Sequence, residues 1–471
     1  MEGLLKKLGQ FSIGPIVGAL IGFITVPIIT YFISPEEYGK SSMFTLAISI
    51  LQLFVFLGMD QAYTKRYYET VNRSKLLTNA IFPAFILVMA IDLGLFLGKG
   101  KVAELLFGSS EEIICVYALI IILPGLAIEK FALMDIRMQQ RGVLYSVMSI
   151  LLKTLTLICI VTLFVQYQKS FRAIVFGTTV AQLLYSGILL FCVRKSFIIR
   201  ASLLDWLEIK SLLKFGLPIV PVSIIGWALS GMDKVMLRGF CDYSELGMYE
   251  VAFKVVNIIG IAQTCFTSFW VPVAHQWNND NVDKERFVYI GRLISLAMTG
   301  IFVLVLLFKN VIFFILADDY GQAVNIVPFL LIYPIMYTVS EVTVMGIYFK
   351  EKTLNLLFVS LAASIVNIAL NCILIPKAGA IGASIATGVS YTVFFWIRTL
   401  ISRRIWFKFP VKEYIFITAI LFVLSFCNIW IHGIGVYIIN CCSIPIIVYY
   451  FRNELKDIFH YLKNASTTRS V

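Results

Sequence analysis

Apolar residues run through this chain in long unbroken stretches, with polar residues gathered into short connections between them. Fourteen stretches approach or exceed the ~20 residues that cross a hydrocarbon core as a helix: 10–32, 40–62, 76–98, 113–134, 143–166, 171–193, 211–237, 246–272, 287–307, 322–348, 353–375, 378–398, 412–430 and 433–451. A helix satisfies its own backbone in lipid, and no period-two alternation points to a barrel. The pattern therefore predicts an all-α polytopic membrane protein.

The same pattern repeats. Leu4, Leu5, Lys6, Gly18, Phe32, Glu37 and Gly39 recur, 208 residues later and without a gap, as Leu212, Leu213, Lys214, Gly226, Phe240, Glu245 and Gly247. Each copy is a basic approach, an apolar helix, a short acidic turn ending in Gly and a second apolar helix. An even number of helices per copy gives both copies one orientation. The expected architecture is two six-helix lobes related by a pseudo-twofold axis along the membrane normal, plus two C-terminal helices. The corresponding segments are residues 1–193 and 211–400 for the lobes, 194–210 for an inter-lobe linker, 401–451 for the added helices and 452–471 for a tail. The linker mixes Ile198, Ile199, Leu203, Leu204, Trp206 and Leu207 with Arg200, Asp205 and Lys210, the composition of an interfacial amphipathic helix.

Composition agrees: 59% of residues are hydrophobic, 14% are charged and the mean hydropathy is +0.89. With the N-terminus placed in the cytoplasm, 26 of the 39 basic residues fall in inside loops and adjoining helix ends and 8 on the outside. That bias orients the chain with both termini cytoplasmic, in the cytoplasmic (inner) membrane, because positive charge is retained on that side. It also accounts for the net charge of +12 without nucleic acid as a partner. Lys6 and Lys7 before the first stretch resemble a signal sequence, but with no clear cleavage site before Pro35 a retained first helix is expected.

Charges inside apolar stretches are costly and should face protein, water or cargo. Gln52 and Asp60, with Thr45 and Ser49, fall near one face of the second stretch; Glu250, Lys254 and Asn257 form a similar stripe on the eighth. Ser49 and Asn257 are equivalent under the 208-residue offset. Asp233 and Lys234 add to these from the seventh stretch, and Lys153 stands midway along the fifth with no acid within one turn. Such residues line a wet cavity or form structural ion pairs and helix seams; spacing leaves both open. Lys65 and Arg66 are cavity candidates or ordinary positive-inside anchors. Asp92, Glu129 and Glu341 are candidate proton or sodium sites, or structural pairs. Gly14, Gly18 and Gly22 make a small-residue stripe suited to close helix packing.

Nothing in the sequence points to catalysis. The three histidines, His275, His432 and His460, are far apart, and the nine cysteines sit mostly in apolar helices. No metal spacing, phosphate loop or nucleophile motif stands out, so no catalytic residue, metal or cofactor is expected.

Four stretches carry a resemblance: Leu8-Gly9-Gln10 to Ser34-Pro35-Glu36-Glu37-Tyr38-Gly39; Gly58-Met59-Asp60-Gln61-Ala62 to Tyr67-Tyr68-Glu69; Leu212 to Pro221; and Asn371 to Gly379, continuing to Ser384. In these the chain resembles the polysaccharide-biosynthesis (O-antigen-type) flippases of the multidrug/oligosaccharidyl-lipid/polysaccharide exporter superfamily. The resemblance spans about residues 4–400. It implies a two-lobed bundle that moves a lipid-linked oligosaccharide, on a polyprenyl diphosphate, across the membrane by alternating access. A diphosphate would favour the cations Lys153, Lys234 and Lys254. Implied partners are the lipid-linked oligosaccharide, membrane lipids and polysaccharide assembly enzymes, with a monomer as the working unit. The alternatives are an ion-coupled multidrug or small-solute antiporter of the same superfamily and, with less support, a membrane glycan polymerase or ligase.

Overall fold

The computed structural model describes residues 2–166, 169–431, 433–457 and 460, with side chains described from Ile13 onward. The side chains of Lys6 and Lys7, together with His432 and residues 461–471 of the expected tail, lie outside that description.

The described residues form helices α1 (Glu2–Phe32), α2 (Pro35–Phe56), α3 (Met59–Arg66), α4 (Arg73–Leu97), α5 (Lys99–Phe107), α6 (Ile113–Met138), α7 (Gly142–Gln166), α8 (Phe171–Val193), α9 (Trp206–Gly216), α10 (Ile219–Phe240), α11 (Tyr243–Asn279), α12 (Lys284–Phe314), α13 (Val327–Leu330), α14 (Ile332–Thr343), α15 (Met345–Phe349), α16 (Leu354–Ile405), α17 (Lys412–Trp430) and α18 (Ile434–Tyr450). Eleven are long and apolar enough to cross a membrane. A pair bent by 53°, Asp318–Asn325 with Val327–Thr343, passes the same test when taken together, as one broken span or a re-entrant loop. The 52-residue α16 holds two of the predicted stretches, joined where Ala378 and Gly379 leave helical geometry. With the shorter α18, every predicted stretch has its helix.

Three stretches differ in detail. The one expected over 40–62 breaks at Leu57 and Gly58, both at positive φ, so Asp60 sits on α3 and not on the helix carrying Gln52. The one expected over 211–237 begins only at Ile219, because α9 ends at Gly216 and Pro218 precedes the new helix. The amphipathic linker helix starts later than expected, at Trp206, where Asp205 accepts from the backbone N–H groups of Leu207 and Glu208.

Residues 1–250 form one compact unit and 251–471 a second, with the boundary inside α11. In the first unit α7 packs between α1 and α8, and α6 packs on α8 and α4. Its core gathers Met59, Tyr63, Leu76, Ala80, Phe131 and Tyr185. Gly14 of α1 donates its N–H to Ser146 Oγ of α7 at 2.9 Å, an approach that only a missing side chain permits. In the second unit the core centres on Trp270, Phe287 and Met345, and α17 and α18 pack on α12. There Arg292 of α12 reaches Glu413 of α17 at 2.6 Å and Glu454 at 3.4 Å. Lys309 donates to the Asn428 carbonyl at 3.0 Å.

The recurring acidic turn has a physical explanation. In the first copy Ser34 Oγ caps the Glu37 N–H at 3.4 Å; at the equivalent place in the second, Asp242 Oδ1 caps the Glu245 N–H at 2.9 Å. Each cap launches a helix whose next glycine presses on the other copy. Gly39 lies against the Tyr243 carbonyl, and Gly247 lies against the Pro35 carbonyl. Tyr243 and Pro35 are themselves equivalent under the offset, so the crossing is reciprocal. A second backbone approach, between Gly58 and Gly216, seats the break after α2 against the end of α9.

A Cβ at residue 39 or 247 would meet backbone, which cannot swing aside. Gly39→Val and Gly247→Val should each cost about 1–3 kcal/mol or prevent assembly. Gly239→Ala, at a site with no neighbouring atoms, should leave stability within about 0.5 kcal/mol. Thermal unfolding in detergent measures both.

Candidate functional site

Two adjoining pockets open in the first unit and share Gln52, Phe56 and Lys130 in their walls. The first, about 370 Å³, is lined further by Glu129, Met134 and Arg137 of α6, Tyr145 and Leu152 of α7 and Gln182 of α8. The second, about 330 Å³, is lined by Ser49 and Leu53 of α2, by Gly58, Asp60 and Gln61 at the start of α3, and by Ile219, Val220 and Ser223 of α10. The break at Leu57 and Gly58 creates this arrangement, because it turns Asp60 off the α2 axis and back toward α6. Trp227 Nε1 of α10 donates to Ser49 Oγ at 3.1 Å, bracing the far wall.

Lys130 is the hinge of the site. Its ammonium lies 3.4 Å from Asp60 Oδ2 and 5.3 Å from the centre of the Phe56 ring, and the side chain keeps 40% exposure. Asp60 also accepts from Gln61 Nε2 at 3.2 Å. The neighbouring residue Glu129 points elsewhere, as adjacent helical positions must, and accepts from Gln182 Nε2 at 2.6 Å. Gly18 of α1 leaves room for the Lys153 stem, whose Cγ lies 3.4 Å from where a Cβ would stand. Arg137 sits over the Tyr145 ring at 5.7 Å. The cations Lys130 and Arg137 thus face the acids Asp60 and Glu129 across these pockets, beside two glutamine amides and a phenol. Such a surface can hold anionic oxygens and sugar hydroxyls at once.

The structure brings Gln52, Asp60 and Glu129 together in the pocket walls and places the remaining candidates elsewhere, Lys153 among them, exposed on α7 with its stem beside Gly18 of α1. Lys65 stacks over Phe215 at 4.3 Å, and Arg66 donates to Ser211 Oγ at 2.6 Å, so both tie α3 to α9. Lys234 pairs with Glu250 at 2.6 Å, and Asp233 accepts from the Tyr249 hydroxyl at 2.8 Å; these two links fasten α10 to the first turns of α11. Lys254 and Asn257 are exposed on the next turns of α11. Asp92 lies on α4 with its Oδ1 enclosed and unbonded. Glu341 pairs with Arg398 at 2.8 Å in the interior of the second unit, where Arg398 also donates to Ser340 Oγ at 2.7 Å.

Sequence inspection passed over Lys130, Arg137, Tyr145 and Gln182 as site residues. Lys130 is one of many charges within the apolar stretches, and no helical spacing links it to Asp60, its partner on another helix. Asp135, which receives the Tyr63 hydroxyl at 2.9 Å and Gln139 Nε2 at 2.6 Å, escaped notice because it sits where the apolar stretch ends. Among the described residues no group of three or more His, Cys, Asp or Glu converges as a metal site.

The chain matches the family model described as "Polysaccharide biosynthesis protein" over residues 4–278. It is 27% identical over 192 residues to a Haloferax volcanii protein named "Probable low-salt glycan biosynthesis flippase Agl15"; the match covers 39% of this chain and 40% of that relative's length. The lipid II flippase MurJ, in an inward closed conformation, superposes with a TM-score of 0.71 and 14% identity, over 94% of this chain and 99% of that chain. The Vibrio cholerae MATE transporter VcmN superposes with a TM-score of 0.59 and 16% identity, over 86% of this chain and 97% of that one. The fold is thus the helical membrane fold of these two-lobed transporters.

The two ion pairs should differ in strength. Lys130→Gln removes a cation that is 40% exposed from an Asp60 carboxylate that keeps its hydrogen bond from Gln61, and should cost about 1–2 kcal/mol. Lys234→Gln strands Glu250, whose side chain is 6% exposed, and should cost about 3 kcal/mol. Chemical denaturation in detergent separates them.

Proposed function

Because this chain belongs to the polysaccharide biosynthesis protein family, we propose that it is a flippase moving a lipid-linked oligosaccharide, carried on a polyprenyl diphosphate, across the cytoplasmic membrane. The observation that carries this reading is the family match over residues 4–278, which spans every helix that lines the two pockets. The chemistry of those pockets supports it. Lys130 and Arg137 offer charge-assisted donors for phosphate oxygens, whereas Gln52, Gln182 and Tyr145 offer the neutral donors and acceptors that hydroxyls need.

Under this proposal the chain acts as a monomer with both termini in the cytoplasm. Its halves, 1–193 and 211–400, alternate in exposing the headgroup to the two membrane faces while the lipid tail stays in the bilayer. Lys130 releases Asp60 as it takes phosphate, so that the acid pays part of the cation's desolvation when cargo is absent. Assembly enzymes of the same glycan meet it at the membrane. A second reading, ion-coupled export of a small solute, is favoured by the fold shared with a MATE transporter and by the Asp60 carboxylate in the pocket wall beside a partly exposed Lys130.

Transbilayer movement of a polyprenyl-diphosphate-linked oligosaccharide in reconstituted vesicles is the test. Lys130→Ala and Arg137→Ala should each slow it about ten-fold, the scale of one lost hydrogen bond to a charged group, whereas Lys101→Ala should leave it unchanged. Failure to move any lipid-linked sugar, together with cation-dependent efflux of a small solute, would select the second reading.

A further inference from the structure

The segment between α8 and α10 has two unlike faces. Its inner face carries Phe197, Ile209 and Leu212, all buried. Both of its carboxylates turn toward α4 and are paired there: Asp205, itself about one-third exposed, reaches Lys75 of α4 at 2.7 Å, and Glu208 lies 3.7 Å from the same ammonium and accepts from Asn79 Nδ2 at 2.9 Å. Asn79 returns the contact by accepting from the Asp205 backbone N–H at 2.9 Å. The hydrogen bond from Lys75 holds the Asp205 carboxyl below the usual carboxylate range, so the acid stays ionised and committed to that contact.

What remains outward is cationic and apolar. Arg194, Lys195, Arg200, Lys210 and Lys214 are exposed, and among them stand Ile199, Leu204, Trp206 and Leu207, the last two 69% and 78% exposed. No acid of the segment shares that face. The segment is held at both ends by membrane-spanning helices, α8 ending at Val193 and α10 beginning at Ile219, so it lies along one membrane surface. Exposed Trp and Leu beside lysine and arginine are the residues that settle at a headgroup boundary.

We propose that the outward face of residues 194–214 is a binding surface for anionic phospholipid, with Trp206 and Leu207 inserted at the acyl boundary and Arg200, Lys210 and Lys214 on the headgroups. The inward pairing of Asp205 and Glu208 is what makes this possible, since the same acids turned outward would cancel two of those charges. Each basic residue at such a surface strengthens the attachment by about five-fold. This surface is separate from the pockets and does not depend on the transport assignment.

Hydrogen exchange of the full-length protein tests it, in lipid nanodiscs of phosphatidylcholine alone and of phosphatidylcholine mixed with phosphatidylglycerol. Amides of residues 198–210 should exchange about five-fold or more slowly in the mixed discs, and the difference should disappear in high salt. Arg200→Gln/Lys210→Gln/Lys214→Gln should abolish the difference, and Trp206→Ser/Leu207→Ser should speed exchange in both discs. Equal exchange of the unmodified protein in both lipids would overturn the proposal, as would protection that high salt leaves intact. Protection gained only on adding a purified partner protein, and not from lipid, would overturn it in favour of a protein surface. The salt titration uses the unaltered chain and decides the matter even if a variant misfolds.

Discussion

A charge carried into hydrocarbon must be answered inside the protein or by water, and the interior of this molecule is organised by how each answer is made. Lys234 with Glu250 and Arg398 with Glu341 are short, enclosed pairs, and Arg398 adds a hydrogen bond to Ser340 Oγ. Lys130 with Asp60 is answered in part, across a longer gap with the ammonium still open to a pocket. The closed pairs fasten helices to one another. The open one leaves an unsatisfied demand where two pockets meet, and a ligand's anionic oxygens can meet that demand.

Backbone approach is the second organising element. Where Gly39 and Gly247 press on carbonyls of the opposite copy, the duplication becomes a physical contact between equivalent positions. The Ser34 and Asp242 caps set the start of each crossing helix, so the turn and the glycine act as one device: the cap fixes the direction, and the missing side chain allows the approach. Gly58 with Gly216 repeats the principle at another place, where it bends the chain and delivers Asp60 to the pocket.

The spans were legible because apolar length is a property of a window and survives any arrangement of neighbours. The repeat was legible for the same reason, down to Glu37 and Glu245. The pockets were legible only in part. Gln52, Asp60 and Glu129 stood out as polar residues in apolar surroundings, but their grouping depends on the break at Leu57, which no hydropathy average registers. Arg398 looked like one more positive anchor at the end of a helix; only the position of Glu341 on another helix makes it an interior residue. Lys65 and Arg66 looked able to meet a cargo, yet the nearest groups they find are Phe215 and Ser211.

The reciprocal crossing also limits how this molecule can be taken apart. A cut between residues 194 and 211 would look natural from the duplication, but it would strip Tyr243 from Gly39, Pro35 from Gly247 and Gly216 from Gly58. A fragment ending there would present bare helix backbone, shaped to receive another strand of chain, at its surface. Two such fragments expressed together would be expected to find each other, whereas either one alone would be a sticky half. The unit of inheritance and the unit of folding are therefore different lengths of the same polypeptide.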